Sequence, residues 1–193
     1  MPWSREHKAE TRTRILEAAA AEFRARGMAA VAVSEVMDRA GLTHGGFYAH
    51  FSSKDDLAVQ ALRHASAQTT AVFDRTATAA DDDGRLQAVI DRYLHPTHVA
   101  HPERGCAVAA LGTEAVRGTR RLRRSLSDSI RTRLDRLRRL LPGSDSRRVR
   151  DQKAAGVFAC MVGGLILARG LGQQEGDRLL ADCRAFLRSA LGD

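Results

Sequence analysis

Residues 33–57 read VSEVMDRAGLTHGGFYAHFSSKDDL, and this stretch decides the fold. Its first apolar residues are spaced three and four apart, which predicts one face of a short helix: Val33, Val36, Met37 and Ala40. Gly41 predicts the end of that helix, because glycine adopts a left-handed backbone at the lowest cost. Thr43 is then predicted to cap a second short helix through its hydroxyl group. Phe47 and Phe51, four residues apart, form the inner face of that second helix.

A helix, a glycine turn and a short polar-tipped helix together form a helix-turn-helix pattern, whose second helix enters the DNA major groove. Ser52 and Ser53 precede a third helix, with Lys54 in its first turn. The side chains left outside the apolar face are the DNA-contact candidates. Those predicted to reach phosphate are Thr43, Tyr48 and Lys54, and those predicted to reach base edges are His44 and Gly45. His50 has a second interpretation, a bridge to the third helix.

The net charge of +8 agrees with a nucleic-acid partner, but its location does not single out this stretch. Residues 1–57 contain eight Lys/Arg and eight Asp/Glu, whereas residues 117–150 contain thirteen Arg and three Asp. Leucines and isoleucine recur every three or four residues from Leu122 to Leu141, which predicts an amphipathic helix with arginines on its solvated face. A second nucleic-acid contact, or a sequence-blind nucleic-acid-binding protein using this helix, is the alternative.

The rest of the chain predicts an all-α protein, because no stretch shows sustained two-residue alternation of β-branched side chains. No apolar run approaches 18 residues, so we expect no membrane span, and the polar residues 1–14 do not form a signal peptide. Three widely separated cysteines predict reduced thiols in a cytoplasm. A further helix is predicted ahead of this stretch, at 8–26. Four basic residues at its beginning form either phosphate contacts or a solvated arm: Arg5, Lys8, Arg12 and Arg14.

The order TRTRILEAAAAEFRARG, followed by residues 33–57, resembles the N-terminal domain of the TetR/AcrR family of bacterial transcriptional regulators. The resemblance covers about the first 60 residues, at Ile15, Leu16, Ala18, Ala19, Phe23, Gly27, Val36, Ala40, Gly41, Thr43, Gly45, Phe47, Tyr48, His50, Phe51, Lys54 and Leu57. Val31 and Ala32 depart from the family pattern, which has Thr or Ser there, so one phosphate-contacting cap is missing. Ser34 is expected to substitute for it in part. Met37 replaces the common alanine.

This resemblance implies a DNA-binding domain at residues 1–55 and a ligand-binding and dimerisation domain at 56–193. It implies a ligand-responsive, sequence-specific regulator, most often a repressor that a small molecule releases from a palindromic operator. The expected partners are double-stranded DNA, a small-molecule effector and a second copy of the chain. No cofactor, metal or enzymatic activity is expected.

The remaining site residues are predicted by apolar pattern. A ligand pocket is predicted among Phe73, Leu94, Cys106, Val108, Leu111 and Phe158, although core packing predicts the same residues. Small and apolar residues on the last two predicted helices, 150–171 and 177–191, suggest a four-helix dimer interface. Its members are Gly156, Cys160, Gly163, Gly164, Leu167, Leu180, Phe186 and Leu187, and the alternative is an intrachain core.

Cys106 opens a predicted helix, where unpaired backbone N–H groups stabilise a thiolate. TetR-like subgroups with a similar Gly-Cys opening respond to electrophiles, so a thiol-based sensor is an alternative function, and a buried packing cysteine is the simpler interpretation. An enzyme using Cys106 lacks a histidine–acid pair with recognisable spacing. His95, His98 and His101 are three apart, but Pro96 and Pro102 interrupt them, so a polar loop is predicted rather than a zinc site.

Overall fold

The computed structural model describes residues 5–141 and 143–192. All regular elements in that part of the chain are helices, which confirms the all-α prediction. The α-helices are α1 (Arg5–Arg26), α2 (Val33–Arg39), α3 (Lys54–Thr78), α4 (Arg85–Tyr93), α5 (Pro96–Ala100), α6 (Ala107–Arg117), α7 (Arg120–Leu140), α8 (Arg147–Gly170) and α9 (Gln173–Leu191). Three 3₁₀ helices cover His44–Ala49, Asp82–Gly84 and Pro102–Arg104. Pro142, predicted to follow the arginine-rich helix, lies outside the described residues.

The chain packs as two compact units. The N-terminal unit extends to Gln68 and includes Pro102–Ser127, and the C-terminal unit comprises Thr69–His101 and the residues from Asp128 onward. Helices α3 and α7 each begin in the first unit and end in the second. The predicted functional boundary between residues 55 and 56 therefore differs from the packing boundary, since 56–68 and 102–127 pack with the helix-turn-helix region.

The N-terminal unit is built on a continuous apolar core. From α1, Ile15, Ala19 and Phe23 are buried, and Val36 and Met37 of α2 are inaccessible to solvent. Helix α3 adds Leu57, Ala61, Leu62 and Ala65, the inward face predicted by its periodicity. Two glycines end α1 and α2 with positive φ angles, +86° at Gly27 and +67° at Gly41, as the pattern predicted.

Four local predictions need correction. The second helix of the helix-turn-helix is a 3₁₀ helix, and the Thr43 side chain does not cap it, although the Thr43 backbone has the extended cap conformation. Helix α3 continues to Thr78, although residues 76–84, with three consecutive aspartates, predict a loop from the sequence alone. Residues 96–100 form a short helix that the His95 side chain caps by accepting from the Thr97 N–H. Pro96 is tolerated in its first turn, because the N–H of that position has no partner within a helix. The predicted polar loop is therefore partly helical.

Helices α8 and α9 form the main packed pair of the C-terminal unit, around Val157, Met161, Leu165, Leu180 and Leu187. Glycine permits their close approach at two positions. A Cβ atom on Gly164 would lie 3.0 Å from the Cys183 Sγ, and one on Gly176 would lie 2.8 Å from the Ala168 carbonyl oxygen. Among the described residues, α8 alone has the length and apolar composition of a membrane span, with a mean hydropathy of 1.4 in its most apolar window. Core helices of water-soluble proteins have the same length and composition.

Charged side chains in the second half of α7 are held by partners in the C-terminal unit. The Arg136 guanidinium donates to both carboxylate oxygens of Asp74, at 2.7 and 3.1 Å. Arg133 lies over the Phe73 ring, 4.5 Å from its centroid. Arg138 pairs with Asp135 and Asp151. This part of the arginine-rich helix therefore stabilises its own unit.

His98 is a half-buried histidine in α5. Its Nδ1 donates to the Tyr93 carbonyl oxygen at 2.7 Å, and the two rings meet edge to face at 4.6 Å. The pKa of His98 is lowered to about 4, chiefly by burial and also by nearby positive charges such as Arg169, while the bond to Tyr93 opposes the shift. The folded state therefore favours neutral His98 at neutral pH.

We predict that stability falls as the pH drops from about 6.5 towards 4, because the unfolded chain protonates His98 in a range where the folded chain does not. The loss attributable to this group between pH 7 and pH 5 is about 2 kcal/mol, at about 1.4 kcal/mol per pKa unit. Urea unfolding of wild type and His98→Asn at both pH values measures it. An equal pH dependence in the two proteins would remove His98 as its cause.

Candidate nucleic-acid interface

The 3₁₀ helix His44–Ala49 is fixed by two phenylalanines, one within it and one just after its end. Phe47 and Phe51 are each 1% exposed, and their rings stack with centroids 5.7 Å apart. Tyr48 contacts the edge of Phe47 at 5.2 Å but is 71% exposed. The apolar face is thus buried, and the following side chain is held in solvent.

The predicted DNA-contact residues are distributed around this exposed side. Thr43, His44, Gly45 and Tyr48 are exposed and lie within six residues of one another in the chain, and no atom lies within 4 Å of the position of a Cβ on Gly45. Three further candidates lie on the flanking segments: Ser34, exposed in the first turn of α2, and His50 and Lys54, both half-buried. The arrangement presents hydroxyl, imidazole and bare backbone groups together, the groups that contact phosphates and base edges.

Arg12 of α1 holds the end of the 3₁₀ helix. Its guanidinium lies over the Phe51 ring, 4.5 Å from the centroid, and donates to the His50 carbonyl oxygen and to Gln60 of α3. A stacked guanidinium with both edges bonded is a rigid clamp, since it satisfies a turn carbonyl and covers an aromatic face. The guanidinium of Arg12 thus has partners within the protein, which neither the predicted phosphate contact nor the solvated arm included.

Arg14 performs a similar task at the turn. Its Nη2 donates to the Ala40 carbonyl oxygen at 2.6 Å, at the end of α2. A Cβ on Gly41 would lie 3.2 Å from that nitrogen, so glycine serves the positive φ and also leaves space for the arginine. Lys8 is exposed, and the Arg5 side chain lies outside the described part of the structure.

Glu114 of α6 supports the segment between α1 and α2. Its Oε2 accepts from the Ala29 backbone N–H at 2.9 Å, while Lys54 Nζ donates to the Ala29 carbonyl oxygen at 3.4 Å. A Cβ on Gly27 would lie 2.6 Å from Glu114 Oε1. This acidic side chain, 85 residues away in the chain, thereby fixes the entry to α2.

Two carboxylates secure the helix starts on either side of the turn. Glu35 accepts from the Ala32 N–H at 2.7 Å, and that bond, followed by the Arg26 side chain, lowers the pKa of Glu35. This bond replaces the cap that Ala32 itself cannot supply. Asp56 accepts from the Ser52 N–H at 3.4 Å, and Ser53 Oγ accepts from the Asp56 N–H at 3.0 Å, so Ser53 caps α3 as predicted.

The surroundings of His50 favour its neutral form. Partial burial lowers its pKa, and the positive charges of Lys8 and Arg12 lower it further. A neutral imidazole at the edge of the exposed surface offers hydrogen bonds but no charge to a phosphate.

The sequence of the helix-turn-helix region matches a known protein family. The sequence model described as "Bacterial regulatory proteins, tetR family" matches residues 15–61, from the middle of α1 through the helix-turn-helix to the first two turns of α3. The whole fold matches a TetR transcriptional regulator from Chloroflexus aurantiacus, with a TM-score of 0.80, 25% identity and 95% coverage of both chains. The helix-turn-helix region matches the TetR family.

Curated relatives match shorter segments of this chain. A probable HTH-type transcriptional regulator of Pseudomonas putida, ArpR, is 36% identical over 83 residues, which are 43% of this chain and 38% of ArpR. The HTH-type transcriptional repressor KstR2 of Mycobacterium tuberculosis is 42% identical over 52 residues, 27% of this chain and 26% of KstR2. The HTH-type transcriptional activator FasR of Mycolicibacterium smegmatis is 35% identical over 86 residues, 44% of this chain and 39% of FasR. The matches thus span less than two fifths of these relatives.

The predicted ligand-binding residues divide equally between the two compact units. Cys106, Val108 and Leu111 lie in the N-terminal unit, and Phe73, Leu94 and Phe158 lie in the C-terminal unit. All are buried except Val108, which is half-buried. Cys106 is 3% exposed at the start of α6, beside Gly105, whose carbonyl oxygen accepts from the buried Arg24 at 3.2 Å. Their assignment to a pocket stays a prediction.

The predicted dimer residues fall into two groups. Gly164, Leu180 and Leu187 are buried in the packing of the C-terminal unit itself, as the intrachain alternative anticipated. The other members are accessible: Gly156, Leu167 and Phe186 are exposed, and Cys160 and Gly163 are half-buried. No atom lies within 4 Å of a Cβ built on Gly156 or Gly163, so neither glycine is explained by packing within the described chain.

We predict that Arg12→Ala lowers the free energy of unfolding by about 2 kcal/mol, because it removes the ring contact and the bonds at the end of the 3₁₀ helix. Lys8→Ala, one turn earlier and exposed, is the matched control and should change it by less than about 0.5 kcal/mol. Chemical denaturation measures both. Equal stability of the two variants would show that Arg12 is not a clamp.

Proposed function

We propose that this protein is a ligand-responsive, sequence-specific DNA-binding transcriptional regulator of the cytoplasm. In this proposal it is a homodimeric repressor, and a small molecule releases it from a palindromic operator. The observation that carries the proposal is the exposed face of residues 43–48, held rigidly on Phe47 and Phe51. The match of residues 15–61 to the TetR family model supports the same conclusion.

In this mechanism the 3₁₀ helix enters the major groove and its flanks contact the backbone. Thr43 and Tyr48 contact phosphates and fix the register, while His44 and the bare backbone at Gly45 approach base edges. Ser34 and Lys54 add phosphate contacts at the first turns of α2 and α3. His50 bridges to the clamp residue Arg12 and stays at the edge of the contact.

A second copy of the chain is the partner that best fits the exposed side of α8 and α9. Phe186 is 64% exposed and Leu167 is 59% exposed, and Ile166 and Leu171 are also accessible. Apolar side chains exposed in such number mark an association surface, and the open positions at Gly156 and Gly163 permit a helix to approach closely. A dimer carries two helix-turn-helix units, which accounts for a palindromic operator.

The continuous helices α3 and α7 are the route by which an effector changes DNA affinity. Each extends from the N-terminal unit into the C-terminal unit, so displacement of either helix by a bound ligand displaces the start of α3. Asp55 and Asp56 in that first turn accept bonds from Thr119 and Arg121 at 3.0 Å, which ties the two helices together. Such coupling is typically about 1–3 kcal/mol.

The two alternatives have less support. A thiol sensor requires an accessible thiolate, and Cys106 is buried at the start of α6. A sequence-blind binder based on the arginine-rich helix leaves the exposed face of residues 43–48 without a role, and the second half of that helix pairs within its own unit.

Selection of bound fragments from the source genome identifies the operator, and Tyr48→Ala then tests the site. We predict a loss of operator affinity of about tenfold or more with unchanged thermal stability, because Tyr48 is mostly exposed. Val116→Ala is the matched control, since Val116 is also exposed and lies in the N-terminal unit on α6. Selection that recovers no preferred sequence would contradict the proposal.

The dimer is tested by placing charge on its proposed surface. We predict that Phe186→Glu and Leu167→Glu shift sedimentation from a dimer to a monomer at micromolar concentration, since each buries a carboxylate in an apolar interface. Val116→Glu introduces the same charge at an equally exposed valine of α6 and should leave the dimer intact. A wild-type chain that sediments as a monomer would exclude this surface as the interface.

A further inference from the structure

Five exposed arginines lie at the junction of α6 and α7, and they form what is called here the arginine cluster: Arg117, Arg120, Arg121, Arg123 and Arg124. The cluster belongs to the N-terminal unit, which contains the helix-turn-helix. The sequence of this unit has fifteen Lys/Arg and ten Asp/Glu, a surplus of five. Without the cluster the unit has ten of each and is neutral. The cluster therefore supplies the whole positive surplus of the DNA-binding unit.

The structure ties the cluster to the turn that follows the 3₁₀ helix. Thr119 Oγ1 donates to Asp55 at 3.0 Å, and Arg121 Nη2 donates to Asp56 at 3.0 Å. Asp56 in turn accepts from the Ser52 N–H, three residues after the 3₁₀ helix ends at Ala49. Two bonded steps therefore connect the cluster to the exposed DNA-contact surface, and Lys54 directly precedes the carboxylates that anchor it.

The positive charge of the cluster interacts unfavourably with the helix dipole of α7. Four of its arginines occupy the first turns of that helix, and no acidic residue lies in the first turn. The positive end of the helix dipole lies there, so cations at this end are less favourable than anions. Residues that lower the stability of the free protein are common at functional sites, because binding to a partner offsets the lost stability.

Pairing within the chain also distinguishes the cluster from the rest of α7. Arg136 and Arg138 form ion pairs with aspartates, and Arg133 lies over Phe73. Within the cluster, Arg121 alone forms an ion pair among the described residues, and Arg123 donates to the Gly118 carbonyl oxygen. Four guanidinium groups thus remain without a carboxylate partner in residues 5–141 and 143–192.

We propose that the arginine cluster is an accessory phosphate-binding surface that contacts the DNA backbone flanking each operator half-site. This inference rests on the proposed function, because it takes operator DNA as the polyanion beside residues 43–48. Guanidinium groups suit phosphate oxygens through their planar pairs of donors. The half-site is read by residues 43–48, and the cluster adds affinity without sequence preference.

The measurable consequence is salt dependence. Each phosphate neutralised adds about 0.9 to the slope of log affinity against log salt concentration, because counterions are released. If each protomer loses one phosphate contact, the slope for the dimer therefore falls by about 2. The loss requires flanking duplex, so an operator trimmed to its two half-sites should not show it.

The test compares the full-length quadruple variant Arg117→Gln, Arg120→Gln, Arg123→Gln, Arg124→Gln with wild type. Arg121 is kept because it pairs with Asp56. The control variant carries the same loss of charge at four exposed arginines of the C-terminal unit: Arg75, Arg139, Arg147 and Arg148. Fluorescence anisotropy gives the affinities for flanked operator, trimmed operator and random-sequence duplex, from about 50 to about 200 mM salt.

We expect the cluster variant alone to show a slope reduced by about 2 or more, with weaker binding to flanked operator and to random duplex in equal proportion. Its affinity for trimmed operator should match wild type. An unchanged slope, or an equal fall in the control variant, would overturn the cluster as a phosphate surface. If wild type itself binds operator and random duplex equally, the proposed function fails instead, whatever the cluster variant does.

Discussion

The rest of the site depends on the burial of Phe47 and Phe51 beneath a helix of six residues. A 3₁₀ helix of this length has few internal hydrogen bonds and does not persist alone in water. Its conformation is therefore imposed by tertiary packing, through two stacked rings and the Arg12 guanidinium above one of them. Because this face is fixed, the opposite face, from Thr43 to Tyr48, is presented in one geometry without being bonded down.

Much of this arrangement is legible in the sequence. Periodic apolar residues predicted the amphipathic helix α7, and Gly27 and Gly41 predicted two helix ends, because one face must be buried and a positive φ needs glycine. The supports were not predictable. Arg12 and Arg14 look like solvated cations, and their partners are backbone carbonyls at the far ends of other elements. Glu114 acts on a turn 85 residues away, and nothing in a local pattern identifies such a contact.

The use of the arginines was likewise not predictable from the sequence. The arginine-rich region is one feature in the sequence, but packing divides it between two units with different uses. Its second half pairs with aspartates or lies over an aromatic ring, while its first half leaves four guanidinium groups beside the helix-turn-helix. Net charge of the whole chain therefore says little about the DNA-binding surface, whereas net charge of the compact unit is informative.

Hydroxyl-radical footprinting of the protein on genomic DNA that it selects tests directly whether residues 43–48 of two protomers contact DNA. We expect two protected segments related by a palindrome, with centres about 34–36 Å apart or slightly more. There the exposed faces of residues 43–48 in the two protomers enter successive major grooves. Protection that is uniform along the duplex and independent of sequence would contradict this expectation.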